Sequence, residues 1–234
     1  MLRHSFEQKL QALQGQALEL GQMVDQALGA SVETLTGRDV AKAQSLKADT
    51  CFINSKRLAV EIETLSLIAT QQPVAGDLRT LIAVLEIAAE LERMGSYAAS
   101  IAQATVNLGQ ASLPEPFLQL IPDMVEKAQN MLRQSLLAFA RRDIVMARAI
   151  PPQDDEVDYL YDQVYQVLLR AMRADPYPHI ANQAAHLSRV AHYVERTADR
   201  VINICEWVVF AVTGEMAELN VSEADRSYQE TAAS

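Results

Sequence analysis

The sequence predicts an all-α protein made of two tandem, pseudo-symmetric three-helix bundles with six long helices. Three observations carry that prediction. Apolar residues recur at three- and four-residue steps with no β-branched runs of period two. Six of the eight prolines, Pro73, Pro114, Pro116, Pro151, Pro176 and Pro178, fall at or near the joints this periodicity implies. The chain also repeats itself at an offset close to 104 residues. Half of the 234 residues are hydrophobic, enough for one large domain or two small ones and unlike a disordered chain.

The first helix occupies about the first 35 residues, where Phe6, Leu10, Leu13, Ala17, Leu20, Val24, Leu28 and Leu35 form one stripe. Further helices are expected over 38–70, 76–108, 115–141, 143–174 and 179–214. An offset of 104 pairs Leu13 with Phe117, Ala17 with Ile121, Leu20 with Met124, Val24 with Ala128 and Leu28 with Leu132. The pairing continues through Ser31 and Ser135, Val32 and Leu136, Leu35 and Phe139, and Ala43 and Ala147. At 103 it aligns Pro73 with Pro176, Glu92 with Glu195, Arg93 with Arg196 and Ile101 with Ile204. Core, turn and cap positions thus repeat together, dividing the chain into units 1–108 and 109–214 and a polar tail, 215–234, expected to be disordered. Asp39 and Asp143, each following an arginine, are placed to cap the second helix of each unit.

Thirty acids against twenty bases leave a net charge of −10 with no basic stripe, which argues against nucleic acid. No 18-residue apolar run and no signal-peptide core are present, so a soluble cytoplasmic protein is expected. Cys51 and Cys205, set in apolar helical patterns without CxxC spacing, read as reduced core residues.

Two pairs of acids carry the candidate chemistry. Glu195 and Asp199 share a helix face, as do Asp154 and Asp158 on the preceding helix of that unit. If those helices pack antiparallel, four carboxylates converge and a cation with oxygen ligands offsets their repulsion; ligand type does not separate magnesium, manganese, iron and zinc. Such pairs in isolation are more often solvated or matched to arginines such as Arg196 or Arg200. Their placement on matching helices of a repeat, whose other copy keeps Glu92, favours a metal. In that first copy Thr50, Asn54 and Ser96 replace Asp154, Asp158 and Asp199, so its site is expected to be weak or empty. His192 lies beside Glu195 and reads as a surface histidine. The stretch "EWVVFAV", with Trp207 and Phe210, reads as core ahead of dimer seam or partner groove.

The stretch "QQPVAGDLR" and the paired segments "LERMGSYAASIA" and "VERTADRVINIC" resemble the PhoU family of phosphate-uptake regulators, and the resemblance spans nearly all of 1–214. The family's motif is an acid, three residues, then aspartate, once per unit. Glu195 and Asp199 match it; Glu92 matches while Ser96 departs. The resemblance implies a cytoplasmic, usually dimeric protein that turns down phosphate uptake and phosphate-starvation signalling. It implies contacts with the ATPase subunit of the phosphate ABC transporter and a membrane sensor kinase, and iron or zinc on the carboxylates, giving Asp154, Asp158, Glu195, Asp199 and Glu92 as candidate ligands. No catalytic role is expected. A di-metal oxidase wants Glu-x-x-His motifs, which are absent, and no phosphate-binding loop or nucleophile elbow occurs. A metal-free helical scaffold is the remaining alternative.

Overall fold

The computed structural model describes residues 2–175 and 177–219, so the expectation for 220–234 lies outside it. Among the described residues there are helices and no strand: α1 (Leu2–Gly37), α2 (Val40–Asp49), α3 (Cys51–Gln71), α4 (Ala75–Leu108), α5 (Glu115–Arg141), α6 (Ile144–Ala149), α7 (Asp154–Ala174) and α8 (Pro178–Thr213). None is long and apolar enough to cross a membrane.

Two of the six expected helices are broken. The 38–70 helix is interrupted at Thr50, whose hydroxyl donates to the Lys47 carbonyl 2.7 Å away, a local bond that competes with the helical ladder. The 143–174 helix is broken more completely. Pro151 and Pro152 lack N–H donors and turn the chain through a short 3-10 segment, Pro151–Gln153, between α6 and α7. Gln134 and Gln153 exchange side-chain amide bonds at 3.1 and 3.2 Å, tying this turn to α5. Cys51 also departs from expectation: it opens α3 on the solvent side and is exposed, whereas Cys205 is buried and its thiol is pushed up to about 12 by burial.

The repeat is reproduced in burial, turns and caps. Every apolar residue of the 104-offset pairing is buried, as are Ser31 and Ser135, whose hydroxyls donate to Leu28 and Leu132 at 2.8 Å each. Arg38 and Arg142 both take the left-handed conformation, φ 54°, that ends the first helix of each unit. Arg142 offsets that strain by donating to the Thr80 hydroxyl and the Ala211 carbonyl at 3.0 and 3.2 Å. Asp39 accepts from the Lys42 N–H and Asp143 from those of Val145 and Met146, the expected caps. Asp143→Ala is expected to cost about 1 kcal/mol, and Asp39→Ala somewhat less because one bond is lost instead of two, measured by denaturant unfolding.

The two units meet most extensively along α4 and α8, where the pairs Glu90 with Arg200 and Tyr97 with Tyr193 show that the helices run antiparallel. These contacts are equivalent under the 103-residue repeat, Glu90 matching Tyr193 and Tyr97 matching Arg200. One is an ion pair at 3.4 Å with both side chains largely buried; the other is a stack of two rings with centroids 5.6 Å apart. The stretch Glu206–Val212 is mostly core, with Val208, Val209 and Ala211 buried and Trp207 edge-on to Phe210 at its margin.

Candidate carboxylate site

The helix break at Pro151 makes Asp154 the first residue of α7, where free N–H groups and the helix dipole favour a negative charge. It is nevertheless only 8 % exposed. Burial, then the negative charges of Asp158, Asp199 and Glu195, push its carboxyl up to about 7. Asp158, although exposed, is raised by partial loss of hydration and by Asp199, and Glu195 by burial and by Asp199, opposed by His192 and Arg196. The four acids predicted on α7 and α8 therefore share one electrostatic environment. Asp154 Oδ1 and Glu195 Oε2 are buried without a hydrogen-bond partner. Nδ1 of exposed His192 stands 3.2 Å from that Glu195 oxygen but is not aligned to donate to it. Arg196 lies 3.5 Å from Asp199 Oδ2.

Unpartnered buried carboxylate oxygens and mutual repulsion are what a cation would relieve, so the donor set fits a hard or borderline metal. The ligands are not preassembled: among the described residues no three His, Cys, Asp or Glu side chains stand in a geometry that would already hold an ion. Exposed Asp158 and half-buried Asp199 would have to swing towards Asp154 and Glu195.

Glu92 belongs to a different place. It lines a groove of about 370 Å³ in the first unit with Thr50, Asn54 and Ser96, the counterparts of the three aspartates. There the Ser96 hydroxyl donates to Glu92 at 3.0 Å, so the remaining carboxylate is answered by a neutral neighbour on its own helix. Packing beneath the two sites is conserved in volume but redistributed. Gly95 meets Ile53, with room for no Cβ (2.8 Å to Ile53 Cγ2), where the second unit has buried Ala198 and Val157.

Three neighbours were not singled out as part of the site from sequence. Tyr161 on α7 has its hydroxyl pushed up by burial and by Glu195. Tyr97 of the first unit faces Arg196 across the seam, and its hydroxyl raises that guanidinium further. The Glu90–Arg200 pair sits one turn along α8 from Arg196. The signal for Tyr97 and Arg200 lay in the repeat itself, where a tyrosine aligns with an arginine.

The PhoU domain model matches the chain twice, over residues 17–105 and 121–208. A phosphate-specific transport system accessory protein PhoU homolog of Clostridium acetobutylicum is 32% identical over 221 residues, covering 94% of this chain and 100% of that one. A homolog so named in Deinococcus radiodurans is 32% identical over 216 residues, 91% of this chain and 99% of its own. Among solved structures, the phosphate transport system regulatory protein PhoU of Streptococcus pneumoniae superposes with a TM-score of 0.84 at 27% identity, covering 91% of this chain and 99% of that one. PhoU of Pseudomonas aeruginosa gives 0.83 at 26% identity, over 90% and 100%. With both units matched and relatives aligned from end to end, the chain belongs to the PhoU family.

Proposed function

We propose that this protein is a cytoplasmic, homodimeric negative regulator of phosphate uptake and phosphate-starvation signalling, working by contacts with the ATPase subunit of a phosphate ABC transporter and with a sensor kinase. Its mechanism is binding, not turnover. The observation that carries the reading is the end-to-end alignment with relatives named as accessory proteins of phosphate transport. The test is deletion of the coding sequence in its host. Phosphate uptake and starvation-gene output should rise and return to baseline on complementation, and affinity capture should recover the transporter ATPase. Unchanged uptake in the deletion strain overturns the reading.

In this scheme Asp154, Asp158, Glu195 and Asp199 hold a divalent or trivalent cation, which supplies positive charge that clamps α7 to α8 and an open coordination position for a phosphate or partner carboxylate. Glu92, hydrogen-bonded to Ser96, is the one acid of the first-unit motif, and that site binds a cation weakly or not at all. Elemental analysis of untagged protein is expected to return about one ion or more per chain, lost in a Glu195→Ala, Asp199→Ala variant. A metal-free scaffold is the second reading, favoured by the unassembled ligand geometry. Equal, negligible metal in both proteins after incubation with iron, zinc or manganese would decide for it.

A further inference from the structure

The solvent face of α3 is apolar where the repeat gives a polar one. Ile53, Val60, Thr64 and Leu67 point into the core. On the opposite side of the helix Cys51, Leu58, Ile62, Leu65 and Ala69 form one stripe, all exposed; Ile62 is 60 % exposed and Leu65 51 %. Helix α7 buries the equivalent residues, Val157, Val164 and Leu168, in the same register. At the positions matching Cys51, Leu58, Ile62 and Ala69 it carries Asp155, Asp162, Gln166 and Arg173, and only Leu65 keeps an apolar counterpart, Leu169. Two helices in equivalent positions thus meet solvent differently, α7 exposing Tyr159 and Tyr165 among polar residues and α3 a continuous aliphatic stripe.

We propose that this stripe seats a second copy of the chain, α3 packing antiparallel against α3 about a two-fold axis at residue 60. The inference deepens the homodimer reading above and rests on it.

Self-complementarity argues for that occupant. In an antiparallel register where paired residue numbers sum to 120, Leu58 meets Ile62 of the second copy. Leu65 meets the small Ser55, and Ala69 meets Cys51. Large residues thus face small ones or each other across about 27 Å of helix. The flank agrees in charge. Arg57 and Glu61, paired within one chain at 2.6 Å, fall beside each other's counterparts across the axis, so each cation can exchange its own acid for the second copy's. An isologous contact needs this pattern, with every group finding its complement on the same patch. Lys56 and Glu63 are not required, being engaged by Glu19 and Gln16 of α1 at 2.6 and 2.7 Å. A single helix pair lies at the small end of specific interfaces, so dimerisation in the micromolar range is expected.

Sedimentation equilibrium of the full-length protein tests this, with Ile62→Glu as the disrupting variant and circular dichroism to establish folding. The wild type should dimerise, and Ile62→Glu should weaken the dimer at least about 100-fold while melting normally. Arg57→Glu should weaken it, and Arg57→Glu with Glu61→Arg should restore it. Ala69→Cys gives a register readout: mild oxidation should yield a covalent dimer through Cys51, while buried Cys205 stays unmodified. A dimer unaffected by Ile62→Glu and not cross-linked in Ala69→Cys would place the dimer seam elsewhere, overturning this proposal and leaving the homodimer reading intact. A monomeric wild type at several hundred micromolar would overturn both and give the stripe to a different partner.

Discussion

Replacing Asp154 by asparagine is expected to stabilise the metal-free protein above neutral pH, although it removes a charge from a helix N-terminus. The folded-state carboxyl lies at about 7 against 3.8 for the free side chain, because burial and four acidic neighbours disfavour its ionised form. Between those two values the folded protein holds a proton that the unfolded chain releases. Stability from this group is therefore complete below about pH 4 and is lost as pH rises through 7. The full difference corresponds to at most about 4 kcal/mol, reduced by solvent screening on the open side of the site. In the presence of a chelator the wild-type melting temperature should fall between pH 5 and pH 8, by an amount on the order of 10 °C. Asp154→Asn should flatten that profile and melt higher at pH 8. Adding a tightly bound divalent cation should invert the order: saturation at about a hundredfold excess over its dissociation constant contributes about 2.7 kcal/mol to the wild type and little to the variant. A wild-type profile that stays level across this range in chelator would contradict the shared electrostatic site.

The second large effect is expected at the seam between the units. Arg200→Ala leaves Glu90, 8 % exposed, without its cation, and breaking a buried pair in this way costs about 3 kcal/mol. The repeat supplies its own repair. Glu90→Tyr with Arg200→Tyr places at this contact the residues that already stack as Tyr193 and Tyr97 at the equivalent one. The double variant should unfold within about 1.5 kcal/mol of the wild type, a much smaller loss than Arg200→Ala alone. If both variants lose equally, the two contacts are not energetic equivalents and the pseudo-symmetry stops at the backbone.

Most of the architecture was legible because burial is periodic. The stripes in α1 and α5, the paired serines and the capping aspartates each leave a spacing that the 104-residue offset doubles, and all are in place. The breaks at Thr50 and Pro151 were less legible, since apolar periodicity runs through both and only local hydrogen bonding interrupts the helix. Cys51 was misplaced for a related reason: an apolar neighbourhood in sequence does not say which side of the helix meets water, and here both sides of α3 are apolar. Spacing and repeat together pointed to the four acids of the second unit. The raised carboxyl of Asp154 and the unpartnered oxygens of Asp154 and Glu195 were not legible, because they depend on how deeply α7 and α8 bury each group. Tyr97 escaped because its role runs between units, across an antiparallel contact that no spacing within one helix records.

The unequal seam also bears on how the chain is made. During synthesis the first unit emerges while α8 is still absent, leaving the face of α4 that carries Glu90 and Tyr97 uncovered. Two neighbouring nascent chains pairing through α4 would set Glu90 against Tyr97 twice, enclosing two carboxylates with no cation between them. Arg200 ends that frustration when α8 folds back. An ion pair on one side of the axis and an aromatic pair on the other thus make the seam directional: the second unit supplies the cation that the first unit's buried carboxylate needs, and another first unit has none to offer.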